Sequence, residues 1–288
     1  MSRKALILGA TGRTGRHAAA ALSARGWAVT PYRRGGVPLA GAAQGAELIF
    51  NGWNPPYSQW AGTVPGLTAQ VIDAARRSGA AVMIPGNVYV FGRDMPEALT
   101  PETPHAATHP LGRIRAEMEA AYRDAGVRTV VLRAGDFLDT GASGNWFDRI
   151  IAAKVRRGRL SYPGPVDRVH GWAYLPDLAS AFAGLAERLD QLPDFTELTF
   201  PGYALTGEEL AAACEAALGR SLTLRRMSWS PVQLARPFWA EAKHLLEMRY
   251  LWERPHRLDG TALDRLLPDR PRTSPTDAMR AALADLVG

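Results

Sequence analysis

Short, continuous apolar runs alternate along the first half of the chain with longer segments in which apolar residues recur at helical spacing. The apolar runs predict buried strands at residues 5–8, 27–32, 47–50, 80–84 and 128–133. The segments between them predict helices at residues 13–25, 65–78 and 111–125. Strands and helices that alternate in this way form a parallel sheet covered by helices on both faces. The pattern therefore predicts an α/β fold.

The second half of the chain is less regular. It predicts a helix within residues 143–158, a short strand from Trp172, a helix over residues 177–188 and a strand at residues 195–200. Thr206 and Glu209 have the spacing of a capping box, which predicts a helix that runs from there to Leu218. Residues 227–252 are dense in Trp, Met, Phe and Tyr, which is typical of a core, an apolar pocket or a dimer face.

This change in regularity predicts two intimately packed parts. We expect residues 1–142 to form the sheet domain, and residues 143–288 to form a smaller, mostly helical subdomain on the substrate side. Residues from about 168 to 200 are expected to contribute back to the sheet of the first part. A chain of 288 residues is long enough to bury a substantial core in this arrangement.

A glycine-rich turn joins the first strand to the first helix. Its sequence is GATGRTG, residues 9–15, with the spacing GxxGxxG. A strand, a glycine-rich turn and a helix in this order bind the pyrophosphate of a dinucleotide in a Rossmann fold, because the backbone approaches the phosphates and the helix N-terminus offers free N–H groups. The predicted cofactor-binding residues of the turn are Gly9, Thr11, Gly12, Arg13, Thr14 and Gly15. The alternative is a structural turn that binds no ligand.

The end of the second strand indicates which dinucleotide is bound. Arg33 and Arg34 follow the strand at the place where an acidic residue would hold the adenosine ribose of NAD. Because the planar guanidinium of arginine suits a 2′-phosphate, the two arginines favour NADP over NAD. The alternative is that both arginines are solvated loop residues.

The ends of the third and fourth strands supply further candidate residues. In open α/β sheets, ligands bind at the carboxyl ends of the strands. Residues predicted to contact the cofactor there are Asn51, Gly52, Pro85 and Gly86, and residues predicted to line a substrate pocket are Trp53, Tyr57, Asp136 and Tyr174.

Composition excludes several classes of function. The formal net charge is +6, but the basic residues are scattered, which argues against a nucleic-acid-binding surface and favours small anionic ligands. Cys214 is the single cysteine, so an internal disulfide and a cysteine-based metal cluster are excluded, and the six histidines show no ligand spacing tied to carboxylates. Because we find neither a leader pattern nor an apolar run of transmembrane length, we expect a cytoplasmic protein without membrane contact.

Four segments of the chain resemble the motifs of one family. Residues 9–15 resemble GATGxxG, residues 86–92 resemble SSxxVYG, residues 109–119 resemble PYxxxKxxxE, and residues 172–179 resemble a run of the form hVdDlA. In this order and spacing they resemble the extended or atypical short-chain dehydrogenases/reductases, which comprise NAD-dependent epimerase/dehydratase-like and nitrogen-regulator-like (NmrA-like) proteins. The resemblance implies a doubly wound Rossmann sheet, a nicotinamide cofactor, a small-molecule substrate and a homodimer.

The catalytic pattern implied by the resemblance is broken in this chain. The family uses a Ser or Thr to orient the substrate oxygen, a Tyr as acid/base and a Lys that lowers the pKa of the Tyr and holds the nicotinamide ribose. The corresponding residues here are Asn87, Leu111 and Arg115. Leucine cannot transfer a proton, whereas asparagine can still hydrogen-bond an oxygen and arginine can still hold ribose hydroxyls.

Other residues must therefore supply the proton, or the reaction needs none. The candidate catalytic residues are Asn87, Tyr89 and Arg115. Further proton donors considered at the mouth of the site are Tyr57, Tyr174, Asp136, His105 and His109.

Three functions are consistent with these observations. The first is an NADP(H)-dependent oxidoreductase that acts on a small molecule without the usual Ser-Tyr-Lys catalysis. The second is a non-catalytic NADP-binding protein that senses the redox state, as implied by the nitrogen-regulator-like members of the family. The third is a SAM-dependent methyltransferase, because residues 54–57 read NPPY, the signature with which adenine-N6 methyltransferases hold a flipped base.

Overall fold

The computed structural model describes residues 2–287. Its strands are β1 (Lys4–Leu8), β2 (Ala28–Pro31), β3 (Leu48–Asn51), β4 (Ala81–Gly86), β5 (Ala98–Leu99), β6 (Thr129–Arg133), β7 (Asp136–Leu138), β8 (Arg159–Tyr162), β9 (His170–Tyr174), β10 (Phe195–Thr199), β11 (Tyr203–Leu205), β12 (Thr223–Arg226) and β13 (Arg257–Leu258). Its α-helices are α1 (Arg13–Ala24), α2 (Leu39–Ala42), α3 (Trp60–Ser78), α4 (Pro110–Asp124), α5 (Leu175–Ala186), α6 (Gly207–Leu218), α7 (Ser230–Ala235), α8 (Ala242–Glu247), α9 (Tyr250–Glu253), α10 (Thr261–Leu266) and α11 (Pro275–Val287).

Six strands form one parallel sheet in the order β10-β6-β4-β3-β1-β2. Every residue of β3 and of β6 is buried, which explains why the apolar residues of Leu48–Phe50 and Val130–Leu132 are consecutive rather than alternating. The order of strands reverses between β1 and β3, since the chain passes from β1 to the edge strand β2 and then returns to the other side of β1. The predicted doubly wound parallel sheet is confirmed.

Helices cover both faces of this sheet. On one face, α3 and α4 bury residues such as Val71 and Met118 against the side chains of β3 and β4. On the other face, α1 and α5 cover the sheet, and Phe182 of α5 meets Phe50 of β3 edge to face with ring centroids 5.1 Å apart. Each fully buried side chain of this size contributes about 2 kcal/mol to stability through removal of apolar surface from water.

The part of the chain from residue 143 onward packs beside the carboxyl ends of the sheet strands. Its strands β9 and β11 form a three-stranded sheet with β7 from the first part, and this sheet and the pair β12-β8 enclose a third core with α6 and α11. Within residues 168–200, α5 and β10 belong to the six-stranded sheet and its cover, whereas β9 belongs to the three-stranded sheet. The division at residue 142 stays a prediction.

Two predicted helices differ from the structure. α3 begins at Trp60 and contains Pro65, although the prediction began the helix at Pro65. Trp60 is buried and its indole N–H donates to the carbonyl oxygen of Pro55, 2.8 Å away. These contacts stabilise a first helical turn ahead of Pro65, although a proline inside a helix is unfavourable. Within residues 143–158 the predicted helix is replaced by a π-helical turn, Phe147–Ile151, and a 3-10 turn, Val155–Arg157. Asp148 accepts backbone hydrogen bonds from residues 143 and 144 and holds this segment in loop form.

Two expectations for the second half agree with the structure. The capping box is present on α6, where Thr206 Oγ1 accepts from the Glu209 N–H and Glu209 Oε2 accepts from the Thr206 N–H. The aromatic-rich segment 227–252 divides between two environments: Trp229 and Trp252 are buried in the third core, whereas Phe238 is almost fully exposed.

Among residues 2–287, no helix combines the length and the apolar composition that crossing a bilayer requires.

Candidate active site

A cavity of about 250 Å³ opens at the carboxyl ends of β1, β3 and β4, where the strand order reverses. In doubly wound sheets this position is the one at which ligands bind. Eight of the predicted cofactor-binding residues line the cavity: Gly12, Arg13, Thr14, Asn51, Gly52, Pro85, Gly86 and Arg115. The others, Gly9, Thr11, Gly15, Arg33 and Arg34, do not line it.

The glycine turn has the tight geometry that its sequence requires. Gly9 has a φ of +71°, and its carbonyl oxygen accepts a hydrogen bond of 2.8 Å from the Gly12 N–H. A Cβ atom on Gly15 would lie 2.1 Å from that same carbonyl oxygen, so only glycine fits there. Gly12 is the N-cap of α1, and no side chain caps its first N–H groups. The helix therefore presents unpaired donors and a partial positive charge at the cavity, as binding of a phosphate requires.

Arg33 and Arg34 lie beside the turn but outside the cavity. They follow β2, which pairs with β1 up to the register Ile7↔Pro31, so they come next to the end of β1. The guanidinium of Arg34 lies 6.0 Å from the ring centre of Trp53, a cavity residue. This position is compatible with contact to the far end of an adenosine, although the arginines take no part in the cavity wall.

Asn87, Tyr89 and Tyr57 form one hydrogen-bonded group in the cavity wall. Asn87 Oδ1 accepts from the Tyr89 N–H at 3.1 Å, and the hydroxyls of Tyr57 and Tyr89 are 2.6 Å apart. Burial raises the pKa of Tyr57 to about 12 although its hydrogen bond with Tyr89 opposes this, and burial raises the pKa of Tyr89 well above its usual value. Both hydroxyls are consequently neutral at physiological pH and act as hydrogen-bond partners rather than as phenolates.

Leu111 and Arg115 occupy successive turns of α4 with different surroundings. Leu111 is buried in the apolar core under the sheet and does not reach the cavity. Arg115 lines the cavity, and its Nη2 donates to the carbonyl oxygen of Pro85 at 2.7 Å. Its Nε–H is buried and has no partner among the residues that the structure describes. Burial also lowers the pKa of Arg115 from its usual value, which the nearby Glu119 charge opposes.

Asp136 lies on the opposite wall with two histidines that the sequence analysis did not select for the site. Its Oδ2 is 2.7 Å from Nε2 of His170, whose ring stacks on Trp252 with the planes parallel and centroids 4.2 Å apart. The His256 ring meets His170 at 4.5 Å. Burial, and then the neighbouring His170, lower the pKa of His256 to about 3. His170 and His256 are missed in sequence because neither belongs to a motif, and β9 and the β13 region meet only in the folded chain.

The remaining candidate residues lie elsewhere. Tyr174 borders a second cavity together with Asp177 and Arg272, not the cavity of the glycine turn. His109 caps α4 and contacts Glu247 and Tyr250 at 3.1 and 3.0 Å, which is a structural role.

His105, Glu119 and Glu197 come close enough together to hold a metal ion. However, the guanidinium of Arg133 already bonds to both of these carboxylates, and it also donates to the carbonyl oxygen of Asn87. Arg133 thus provides the positive charge that a metal ion would supply. The cluster links α4 and β10 to β6 and to the residue that follows β4.

No protein-family model matches this sequence, and no curated protein does. Solved structures match its fold. The human epimerase family protein SDR39U1, determined with NADPH, is 18% identical with a TM-score of 0.74, and the match covers 98% of this chain and 99% of that one.

Two bacterial enzymes are similar to the same extent. UDP-glucuronic acid 4-epimerase from Bacillus cereus, in complex with UDP-glucuronic acid and NAD, is 14% identical with a TM-score of 0.76 and coverage of 98% of both chains. UDP-glucose 4-epimerase from Brucella ovis, in complex with NAD, is 16% identical with a TM-score of 0.71 and coverage of 98% of both chains. Over nearly its whole length, this chain therefore has the fold of the epimerases of the short-chain dehydrogenase/reductase type.

Proposed function

We propose that this chain is an NADP(H)-dependent oxidoreductase of an atypical kind that acts on a small molecule. The observation that carries the proposal is a single cavity whose wall combines the uncapped N-terminus of α1 with the hydroxyl pair of Tyr57 and Tyr89. A dinucleotide with its pyrophosphate at the helix N-terminus extends its nicotinamide toward the hydroxyls in a fold of this type.

The residues present fit a nicotinamide dinucleotide. A Cβ on Gly9 or Gly15 would collide with neighbouring backbone, so the turn keeps its tight path, and no side chain caps the first N–H groups of α1. The buried Nε–H of Arg115 lacks a partner, and a ribose hydroxyl would satisfy it. Arg33 and Arg34 favour NADP over NAD, since they suit a 2′-phosphate.

The chain's own residues bind and orient in this proposal, and the nicotinamide ring supplies the hydride. Arg115 holds the ribose beside Pro85. Asn87 keeps its amide N–H groups for the substrate, because its oxygen is engaged by Tyr89. Tyr57 and Tyr89, both neutral, offer one free O–H from their shared pair to an acceptor on the substrate or on the nicotinamide carboxamide. Leu111 has no proton to transfer and lies in the apolar core. No proton therefore comes from the position that carries the acid/base tyrosine in the family that this sequence resembles.

Loss of NADPH absorbance, measured with a panel of carbonyl, enone and imine compounds, tests the proposal. We expect NADPH to bind more tightly than NADH in calorimetry and at least one compound class to be reduced. Titration with SAM in the same instrument tests the methyltransferase alternative, and binding of SAM without binding of NADPH would replace the proposal.

The buried leucine at position 111 favours one further candidate, a redox-sensing protein that binds NADP(H) without turnover. Tight binding of NADPH, with a conformational change and no reduction of any compound in the panel, is the result that would support the sensor and contradict the oxidoreductase.

A further inference from the structure

Asp136 is the one carboxylate among the residues that line the cavity. The side chain of Asp136 is 23% exposed to solvent. Only its Oδ2 forms a hydrogen bond, with Nε2 of His170 at 2.7 Å. Oδ1 has no hydrogen-bond partner within residues 2–287. A carboxylate oxygen with free lone pairs therefore lies in the wall of a cavity whose other polar lining residues include arginines, histidines and amides.

The hydrogen-bonding pattern gives the Asp136 carboxylate a single donor. Nε2 of His170 is 2.7 Å from Oδ2, so the N–H on Nε2 donates to Asp136. Nδ1 of His170 is buried without a partner in the described part of the chain. His256 is neutral, since its Nδ1–H donates to the carbonyl oxygen of Arg254 and its ring is almost completely buried.

Two arginines line the cavity together with Asp136, but neither forms a salt bridge with it. Arg13 lies at the glycine turn, where the phosphates of a dinucleotide would meet it. Arg115 donates to the carbonyl oxygen of Pro85 and lies near the charge of Glu119, which is itself bonded to Arg133. Within residues 2–287, no arginine or lysine lies within salt-bridge distance of Asp136.

Aromatic rings line the same cavity as Asp136. They belong to Trp53, Tyr57, Trp60, Tyr89, Phe137 and Trp146. The faces of such rings carry negative potential and attract cations, most strongly those with dispersed charge and weak hydration. Rings and one carboxylate together can hold an organic cation.

We propose that the substrate of this site is a cationic iminium compound, held by Asp136 and the surrounding rings and reduced by NADPH. The proposal rests on the oxidoreductase function above and names its substrate class. Hydride, with both electrons of its C–H bond, leaves the cofactor and forms a new C–H bond at the iminium carbon. The C=N π pair becomes the nitrogen lone pair, so the products are a neutral amine and NADP⁺. No proton is transferred in this step, which accounts for a leucine at position 111.

Binding to a cation that cannot be reduced separates the substrate class from turnover. We would titrate the NADPH-loaded protein with the N,N-dimethyl tetrahydroisoquinolinium cation, whose charge is permanent, and with its neutral carbocyclic analogue. The variants are Asp136→Asn, which preserves the acceptor for His170, and Asp167→Asn, which removes the same charge from an exposed residue outside the cavity. We expect the cation to bind more tightly than the neutral analogue and its Kd to rise about tenfold or more in Asp136→Asn alone.

Measurement of turnover with NADPH is the second part of the test. The N-methyl dihydroisoquinolinium cation should be reduced by NADPH, and tetralone, a neutral ketone of similar size, should be reduced at least about tenfold more slowly. Equal binding of cation and neutral analogue, or a Kd unaffected by Asp136→Asn, would overturn the iminium proposal while NADPH binding leaves the oxidoreductase standing. Absence of NADPH binding in the same calorimetry would overturn the oxidoreductase itself, and the iminium proposal with it.

Discussion

Single residues in this site separate the binding of a cofactor from the chemistry done with it. Gly12 and Arg115 line the cavity and have unpaired donors at or beside them, as ligand binding requires. Leu111, one turn before Arg115 on α4, lies in the core and offers neither a proton nor a hydrogen bond. The residues that we propose to hold a dinucleotide thus line the cavity, whereas leucine stands at the position expected to transfer a proton.

Substitution of Gly12 tests the pyrophosphate site. Gly12→Leu should abolish NADPH binding, because its side chain occupies the phosphate's space, while the fold persists, since the one atom near a new Cβ is the Gly9 carbonyl oxygen at 3.1 Å. Calorimetry measures binding, and thermal unfolding measures the fold. Gly66→Leu, at an exposed glycine of α3 with no neighbour within 4 Å, is the matched control. Unchanged affinity in Gly12→Leu would place the pyrophosphate elsewhere.

Charge reversal of Arg33 and Arg34 tests the preference for NADP. With both changed to Asp, the ratio of NADH to NADPH affinity should rise by about tenfold or more, because acidic residues repel the 2′-phosphate and accept from a ribose hydroxyl. The same changes at Arg225 and Arg226, an exposed pair on β12, alter the net charge equally and should leave the ratio unchanged. If the affinity ratio stays constant in both variants, Arg13 becomes the candidate residue for contact with the 2′-phosphate.

At the scale of elements, one buried ion cluster fastens α4 and β10 to β6. Arg133 of β6 bonds to Glu119 of α4 and to Glu197 of β10, and His105 lies 3.1 Å from Glu197. Burial by itself would raise the pKa of Glu197, but the hydrogen bonds and charges of His105 and Arg133 lower it to about 2. Because the folded pKa lies below the usual 4.5, the ionised carboxylate stabilises the fold above pH 4.5, and this contribution is lost as the pH falls from 4.5 toward 2.

Glu197→Gln should therefore destabilise the protein in a pH-dependent manner. We expect the free energy of unfolding to fall by about 2–3 kcal/mol at pH 7, and the difference from the unchanged protein to shrink at pH 3. Denaturant unfolding at the two pH values measures it, with Glu102→Gln at an exposed position as the control. A difference that is equal at both pH values would mean that the carboxylate charge contributes nothing.

Elements with a local signal could be predicted from sequence, and those fixed by distant contacts could not. The strand, glycine turn and helix of residues 5–25 depend on neighbouring residues, and the structure has them with boundaries shifted by one or two positions. The start of α3 depends on burial of Trp60 against the sheet side, which outweighs the cost of Pro65. Asp136 lies on β7, His170 on β9 and His256 just before β13. These residues meet only in the folded chain, so no spacing along the sequence predicts the group.

At the scale of the whole molecule, the two parts of the chain share one sheet. β10 pairs with β6 along five residues, and α5 covers the face on which Phe50 and Met83 lie. Both elements come from beyond residue 142. The six-stranded sheet, at whose edge the proposed cofactor site lies, is consequently complete only when β10 and α5 have packed onto it.

A fragment of residues 1–142 should fail to fold by itself. It lacks the cover of Phe182 and its neighbours, each worth about 2 kcal/mol, and it leaves β6 as an open edge. We expect no cooperative unfolding transition and no NADPH binding from this fragment, whereas residues 1–205, which include α5 and β10, should show a cooperative transition. Circular dichroism and calorimetry make the comparison, and native-like binding by residues 1–142 would contradict this account of shared architecture.

The late position of β10 in the chain has a consequence for biosynthesis. As the polypeptide leaves the ribosome, the strands up to β6 emerge with one apolar face covered by α1 alone and with one edge unpaired until residue 199 has been released. Throughout this interval the nascent chain displays surface that holdase chaperones bind. On the proposed function, we therefore expect the dinucleotide to bind only after the sheet is complete.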